Sequence, residues 1–325
     1  MAVRWGVLST ARINDKFLAG VAQSTACAAL AVASRDRGRA QAYAREHGIE
    51  RAYGSYDELL QDGDVEAVYI SLPNSLHLEW TRRALQAGKH VLCEKPLSRR
   101  ADEVNAIFDV AQRADRLLME AFMYRHHPQT AQLVELVGSG QIGRLRLIRA
   151  SFSFPLGDRS DVRLRAELDG GALMDVGCYC VNAARLLAGE PVAVTGAHVT
   201  GGDGIDVAFV GTLQFDDEVL AHFDAGFVFS ERHDLEIVGE QASLFVTDPW
   251  HCRRPGIELR RGQSAELIEI PAVDSYRLEA ENLSAAIRGW GSPLLGRADA
   301  AGQARTIEAL YAAAGSGRSV ELASD

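Results

Sequence analysis

The sequence has no run of about 18 apolar residues, the length a membrane-crossing helix needs, which excludes a helical span. Cysteine is scarce. Cys27, Cys93, Cys178, Cys180 and Cys252 are odd in number and form no CxxC pair. That excludes a disulfide scaffold. The first residues, MAVRWGVLST, show no basic-then-apolar leader, so a reducing cytoplasm is the expected compartment. Basic charge is in deficit: Lys+Arg number 34 against 44 Asp+Glu, a net charge of −10. Sequence-independent binding to a phosphate backbone wants a basic face. Arg253-Arg254 and Arg260-Arg261 are short pairs of solvated turn residues. Neither a nucleic acid nor a membrane is expected as a partner. Internal repeats, low-complexity segments and long linkers are also missing.

What is present is ordinary globular material, 47% apolar and 24% charged. At roughly 150 residues per domain, the length corresponds to about two domains. Apolar strand-like runs at 3–9, 28–34, 66–71, 89–93 and 116–120 alternate with helical segments at 12–23, 36–47, 56–61, 76–87 and 101–114. Near-continuous apolar strands between helices indicate βαβ units and a parallel, doubly wound sheet. Near residue 145 the pattern changes. A period-two strand over 144–154 and a helix over 171–188 precede strand candidates at 192–200, 206–216, 218–229, 233–239, 242–247, 257–261 and 265–270. Short turns such as Asp216-Asp217 and Arg261-Gly262 indicate antiparallel hairpins. Helices over 275–289 and 299–314 close the chain. The expected fold class is α/β: a Rossmann dinucleotide-binding domain over 1–122, then an α+β domain over 123–325 on a large open, mainly antiparallel sheet. The last helix is expected to pack back on the first domain.

A dinucleotide fold needs a tight strand-to-helix turn whose backbone N–H groups face a pyrophosphate. Here that turn runs through Ser9, Thr10, Ala11, Arg12, Ile13 and Asn14. The three glycine slots of G-x-G-x-x-G hold Ser9, Ala11 and Asn14, so the motif fails as a pattern. Small residues and hydroxyls can still serve, but an ordinary βα turn is the competing reading. The second strand ends Ala33-Ser34-Arg35 rather than in the carboxylate typical of NAD sites. A hydroxyl and a guanidinium suit a 2′-phosphate, and Arg39 lies one helical turn on. NADP is therefore the expected cofactor, with NAD as the alternative. Asp36 is the competing group: it turns outward or takes the ribose contact.

Three further segments are Pro73-Asn74-Ser75-Leu76-His77, Glu94-Lys95-Pro96, and Gly170-Gly171-Ala172-Leu173-Met174-Asp175-Val176-Gly177-Cys178-Tyr179. With the opening WGVLSTARI and the stretch MEAFMYRHHP at 119–128, the chain resembles the glucose–fructose oxidoreductase / inositol dehydrogenase (Gfo/Idh/MocA) family over essentially its whole length. Tyr179 stands where many members carry His. The chain is therefore most similar to the NADP-linked branch of D-xylose dehydrogenase, dihydrodiol dehydrogenase and sugar ketoreductases. The Ser9/Ala11 turn departs from the family's glycine pattern.

The resemblance implies Lys95 and Tyr179 as the catalytic pair. A Tyr hydroxyl has a reference pKa of about 10, so it needs a nearby cation to act as a base. Asp175, four residues before Tyr179, shares its face if 171–188 is helical, and either accepts from a substrate hydroxyl or orients Lys95. The competing reading of Asp175 is a carboxylate complementing the helix dipole. A cis Lys95–Pro96 bond is also implied, as are cofactor contacts from Ser71, Leu72, Pro73, Asn74, His77, Glu94, Lys95 and Arg125. Arg125 and His126 point toward the cleft between domains in the family. Phe154, Asp158 and Arg163 precede the Gly-Gly helix, and Phe154 and Arg163 join Lys95, Asp175 and Tyr179 as substrate-binding candidates. His126-His127 are adjacent and lack partner ligands, so no metal is expected. Cys178 and Cys180 are expected to be buried small apolar residues. The implied activity is hydride transfer between NADP and a sugar or cyclic polyol, with aldopyranose C1 oxidation first. Keto-sugar reduction (nucleotide-linked sugars included) and trans-dihydrodiol oxidation are alternatives. A non-catalytic NAD(P)-sensing regulator is the rival from another class. A homodimer or higher oligomer through the C-terminal sheet is also expected.

Overall fold

The computed structural model describes residues 1–322. In chain order the elements are β1 (Val3–Leu8), α1 (Ile13–Ala22), β2 (Cys27–Ala33), α2 (Arg37–His47), β3 (Arg51–Tyr53), α3 (Tyr56–Leu60), β4 (Ala67–Ile70), α4 (His77–Gln86), β5 (His90–Glu94), α5 (Ala101–Ala114), β6 (Leu118–Ala121) and α6 (Pro128–Gly138). There follow β7 (Leu145–Ser153), α7 (Cys178–Ala188), β8 (Ala193–Thr200), β9 (Asp206–Gln214), β10 (Leu220–Gly226), β11 (Arg232–Gly239) and β12 (Ser243–Val246). The chain ends with β13 (Gly256–Arg261), β14 (Ser264–Glu269), α8 (Ser275–Ile287), α9 (Arg297–Ser316) and β15 (Val320–Glu321). Two compact units result. The first comprises Met1–Ser98, Asp102–His126 and Asp274–Ala301; the second comprises Arg99–Ala101, His127–Val273 and the chain from Gly302 onward.

In the first unit six parallel strands stand in the order β3-β2-β1-β4-β5-β6. Their sequences are near-continuously apolar because both faces are covered: Val3, Trp5, Val7 and Leu8 of β1 and all four residues of β4 are fully buried. The order reverses between β1 and β4, so their carboxyl ends flank the switch point where such sheets bind ligands. The edge strand β3 was not anticipated, being three residues long and too short to show periodicity. Helix α8 belongs to this unit and packs on α1. The approach is close: a Cβ on Gly20 would sit 2.6 Å from the Arg277 backbone nitrogen. The Trp5 indole N–H donates to Ser284 Oγ at 3.2 Å. Of the last helix, α9, only its first residues through Ala301 lie in this unit.

The second unit is built on nine strands in the order β14-β13-β12-β11-β7-β10-β9-β8-β15. All neighbours are antiparallel except β10 and β7, which run parallel. Hairpin logic could not show that pair, since β7 enters the sheet centre long before its neighbours in sequence. Alternation divides the faces. Along β9 and β10, Leu213, Ala221, Phe223 and Ala225 are buried, whereas Val210, Thr212, Gln214, Leu220 and His222 are exposed. Phe209 and Phe223 stack with centroids 6.0 Å apart. Helix α6 was also unanticipated. It begins at Pro128, whose fixed φ suits a first helical position, and the His127 ring caps it by accepting from Gln129 N–H at 3.0 Å.

Candidate functional site

In the first unit the β1–α1 turn is organised by Ser9. Its φ is +122°, in the region that favours glycine, so the conformational demand of the first glycine slot persists although the residue differs. Hydrogen bonds hold it there. Ser9 Oγ accepts from Ala11 N–H at 3.1 Å and lies 2.8 Å from Ser71 Oγ. Asn14 donates to the Ser9 carbonyl at 3.0 Å and accepts from the Ser71 hydroxyl. The Ser9 hydroxyl thus shapes the turn and ties it to Ser71 across the switch point. Thr10, Ala11 and Ile13 are half-buried and Arg12 is exposed.

At the end of β2, Ser34 is buried and its Oγ accepts from Asp36 N–H at 3.3 Å. Asp36 caps α2 by accepting from Arg39 N–H at 2.8 Å. One oxygen of its carboxylate is therefore engaged with the helix end. Arg35 and Arg39 are exposed, and both guanidiniums act on the Tyr56 hydroxyl, whose pKa burial nevertheless raises. Two cations thus stand near one aromatic ring beside the strand end.

The loops after β4 and β5 are joined by His77. Its ring is fully buried, with Nε2 2.8 Å from the Leu72 carbonyl and Nδ1 2.9 Å from the Pro96 carbonyl. Ser71 and Leu72 are buried, and Pro73, Asn74, Glu94 and Lys95 half-buried. The Lys95–Pro96 bond is cis, as the resemblance implied. The Tyr69 hydroxyl donates to Glu94, and burial pushes the Tyr69 pKa well above its ordinary value. Arg125 pairs with Asp299 at 3.0 Å within the same unit.

Sequence reasoning missed Glu279. This α8 residue is fully buried and neither carboxyl oxygen has a hydrogen-bond partner. Burial first, and the Glu94 charge second, push its pKa well above the usual range, so it is held neutral. A Glu on an ordinary amphipathic helix gives no sign of this in sequence.

In the second unit the Gly170-Gly171 pair has a steric cause. A Cβ on Gly170 would lie 2.3 Å from the Arg163 carbonyl oxygen, and one on Gly171 2.3 Å from Asp206 Oδ1. Gly171 also has φ +129°. Asp206, another residue the sequence did not reveal, accepts from Leu173 N–H at 2.7 Å and from the Tyr311 hydroxyl at 2.9 Å. Burial raises its pKa and those two donors oppose the rise. The expected single helix over 171–188 is instead a π-helical turn, Leu173–Gly177, followed by α7. That changes the face argument for Asp175 and Tyr179, because a π turn winds more residues per turn than an α-helix.

Around this helix the substrate candidates gather. Asp175 Oδ2 is 2.9 Å from Arg163 Nε, and Arg163 also pairs with Asp161 at 3.1 Å. The Arg163 guanidinium lies 5.8 Å from the Phe154 ring centroid. Phe154 contacts Phe152 edge-on at 6.4 Å, and Phe152 meets Tyr179 at 5.3 Å. Tyr179 is 6% exposed and is also flanked by Trp250 at 6.0 Å. Asp158 instead caps a turn through Ser160 N–H at 2.8 Å. Cys178 and Cys180 are buried as expected.

The parallel strand order, the glycine-like turn and the guanidiniums at the end of β2 define a dinucleotide-binding protein. Residues 3–122 match the family model described as an oxidoreductase family with an NAD-binding Rossmann fold, and residues 130–245 match the GFO/IDH/MocA C-terminal domain. The chain belongs to the Gfo/Idh/MocA oxidoreductase family. It is 40% identical to D-xylose 1-dehydrogenase (NADP(+)) 2 of Haloferax volcanii, over 98% of this chain and 99% of that protein. Among solved structures, aldose-aldose oxidoreductase from Caulobacter crescentus, complexed with glycerol, superposes with a TM-score of 0.92 at 27% identity, covering 99% of this chain and all of that one. A 3-ketoreductase from Actinomadura kijaniata, in complex with NADP and TDP-benzene, gives a TM-score of 0.91 at 32% identity over 96% and 98% of the two chains. Among the described residues, no helix is long and apolar enough to cross a membrane.

Proposed function

We propose that this chain is an NADP-dependent oxidoreductase of sugars or cyclic polyols, and that its reaction is oxidation of an aldopyranose at C1 to a lactone. The observation that carries this is the end-to-end identity with an NADP-linked D-xylose 1-dehydrogenase. Residues 1–122, with Arg125 just beyond them, bind the cofactor, and the rest of 123–325 binds the substrate and mediates assembly. Two features of the structure fit a phosphorylated dinucleotide: the Ser9 turn at the head of α1, and the exposed Arg35 and Arg39 beside Ser34. The α1 turn from Ser9 to Ile13 holds the pyrophosphate, and Ser34, Arg35 and Arg39 hold the 2′-phosphate. Ser71 to Asn74, Glu94, Lys95 and Arg125 line the remainder, while His77 positions two of those loops. The bound cofactor supplies a hydride acceptor for the substrate's C–H bond.

The proton work falls to the chain. Tyr179 takes the proton from the substrate hydroxyl at its phenolic oxygen, and the Lys95 ammonium stabilises the phenolate that this requires. Asp175, steadied by Arg163, accepts from a neighbouring substrate hydroxyl. Phe154 supplies an apolar wall. The protein acts in the cytoplasm as a homodimer or higher oligomer, joined through the solvent face of the nine-stranded sheet.

Nicotinamide absorbance during turnover tests the proposal. NADP⁺ and NAD⁺ are offered separately with D-xylose and D-glucose. Reduction of NADP⁺ by an aldose is the expected outcome. Lys95→Met and Tyr179→Phe are expected to abolish most turnover while leaving cofactor affinity intact. Unchanged turnover in both variants refutes the assignment of the pair. A second reading, keto-sugar reduction, is favoured by the likeness to the 3-ketoreductase, and oxidation of NADPH by a keto-sugar with no aldose activity would select it.

A further inference from the structure

We propose that His233, Asp248 and His251 form a binding site for a first-row divalent cation of the zinc class, in the second unit and separate from the residues assigned to hydride and proton transfer. One ligand atom from each of the three lies within 4.8 Å of the others. His251 Nδ1 is 3.7 Å from Asp248 Oδ1, and the two imidazole centroids are 5.0 Å apart. Bonds of about 2.0–2.2 Å to nitrogen and oxygen place the ligand atoms of a tetrahedral site about 3.4 Å apart, so closure asks for roughly an ångström of side-chain movement. Two imidazoles and one carboxylate are also the donor set this class of metal takes, with at least one position left for water.

Two further observations separate this group from a chance meeting of polar side chains. The first is that His251 Nδ1 is buried and meets the Asp248 carboxylate only at 3.7 Å, beyond hydrogen-bond length, so its lone pair or proton is poorly satisfied. The second is that the carboxylate is already aimed. Asp248 Oδ1 accepts from the His251 backbone N–H at 3.3 Å and Oδ2 from the Arg253 backbone N–H at 2.8 Å. Such outer bonds are what orient a metal-binding carboxylate, and each oxygen keeps a further lone pair. The turn itself is fastened, because Cys252 N–H donates to the Asp248 carbonyl at 3.1 Å. His233 comes from a different element, β11, where it lies opposite Phe152 on β7. A cation here would therefore link the β12–β13 turn to the central strands. Phe152 meets both imidazoles, at 4.9 and 5.6 Å, and stacks on Trp250. Glu231 adds negative charge 3.8 Å from His233, while Arg253 acts against it.

The test is titration of the untagged, chelator-stripped full chain with Co²⁺ and with Zn²⁺, read by cobalt d–d absorption and by calorimetry. The expected result is one equivalent per chain, a visible band of tetrahedral or five-coordinate cobalt, and a higher melting temperature with metal. His233→Ala and His251→Ala are each expected to weaken binding at least about tenfold, the low end of what losing even an outer-shell partner costs a metal site. His251→Cys guards against variants that merely fail to fold, since it should keep the metal and add a sulfur-to-cobalt charge-transfer band. Binding no tighter in the parent than in the His233→Ala/His251→Ala double variant overturns the site. So does a folded His251→Cys protein that binds cobalt without the charge-transfer band.

Discussion

Gly171→Ala places the physical reading of the Gly-Gly segment at risk. At φ +129° an alanine is strained, which costs about 1–3 kcal/mol. Its Cβ would also lie 2.3 Å from Asp206 Oδ1 and 3.2 Å from the Tyr311 hydroxyl oxygen. Asp206 must then retreat from Leu173 N–H and the Tyr311 hydroxyl, and leaving such buried groups unpaired costs roughly another 1–3 kcal/mol. The combined loss is about 2–6 kcal/mol, which for a unit of this size lowers the melting temperature by roughly 4–20 °C. Differential scanning calorimetry of the full chain measures it. Gly63→Ala is the control: nothing lies within 4 Å of a Cβ there, so its effect stays within about 0.5 kcal/mol. Because the clash is with one carboxylate, Gly171→Ala and Asp206→Ala should be less than additive, by about 0.5–3 kcal/mol. Turnover should fall along with stability, since the same bonds hold the helix that carries Asp175 and Tyr179. A Gly171→Ala protein melting within about 1 °C of the parent refutes the steric account.

Two other outcomes follow from the first unit. Arg35→Ala is expected to weaken NADP⁺ binding by about 10- to 100-fold, the worth of one charge-assisted bond, and to leave NAD⁺ binding nearly unchanged. Fluorescence titration measures both, and equal losses for the two cofactors would remove Arg35 from the 2′-phosphate. Glu279→Gln tests the buried neutral carboxyl. Its folded pKa is raised above the unfolded value, so folding must take up a proton, and stability falls as pH rises beyond the ordinary glutamate pKa. Gln carries no such proton. The variant should therefore be more stable than the parent at pH 7–8, with the gap closing toward pH 4. Parallel urea midpoints across that range would show that Glu279 ionises normally.

The alternating strands and helices of the first unit were legible because a parallel sheet covered on both faces writes its strands as apolar runs. The β9 and β10 hairpin was legible for the opposite reason, one dry face and one wet one. Reading failed where pattern carries little information. Strand β3 is three residues long, the π turn at Leu173–Gly177 keeps the composition of an α-helix, and β10 finds a parallel partner that no hairpin rule supplies. Of the site, the segments around Lys95 and Tyr179 stood out as motifs. Asp206, Glu279 and the His233–Asp248–His251 group did not. Each is an ordinary residue whose importance comes from what is folded against it.

The sequence by itself determined the two-part organisation, the dinucleotide fold and the family, and it singled out the segments around Lys95 and Tyr179 to which the proposed proton transfer is assigned. Local spacing and side-chain type are enough for these. Only the tertiary structure decided that Ser9 adopts a glycine-like backbone because Asn14 and Ser71 hold it. It also decided that Asp36 serves the α2 helix end, that Gly171 is small because Asp206 occupies the adjacent space, and that a carboxyl of α8 stays neutral. Those properties depend on distance, burial and the loss of water around a group. Apart from the local Asp36 cap, residues distant in sequence set them, Ser71 beside Ser9 and Asp206 beside Gly171, and no local stretch records those meetings.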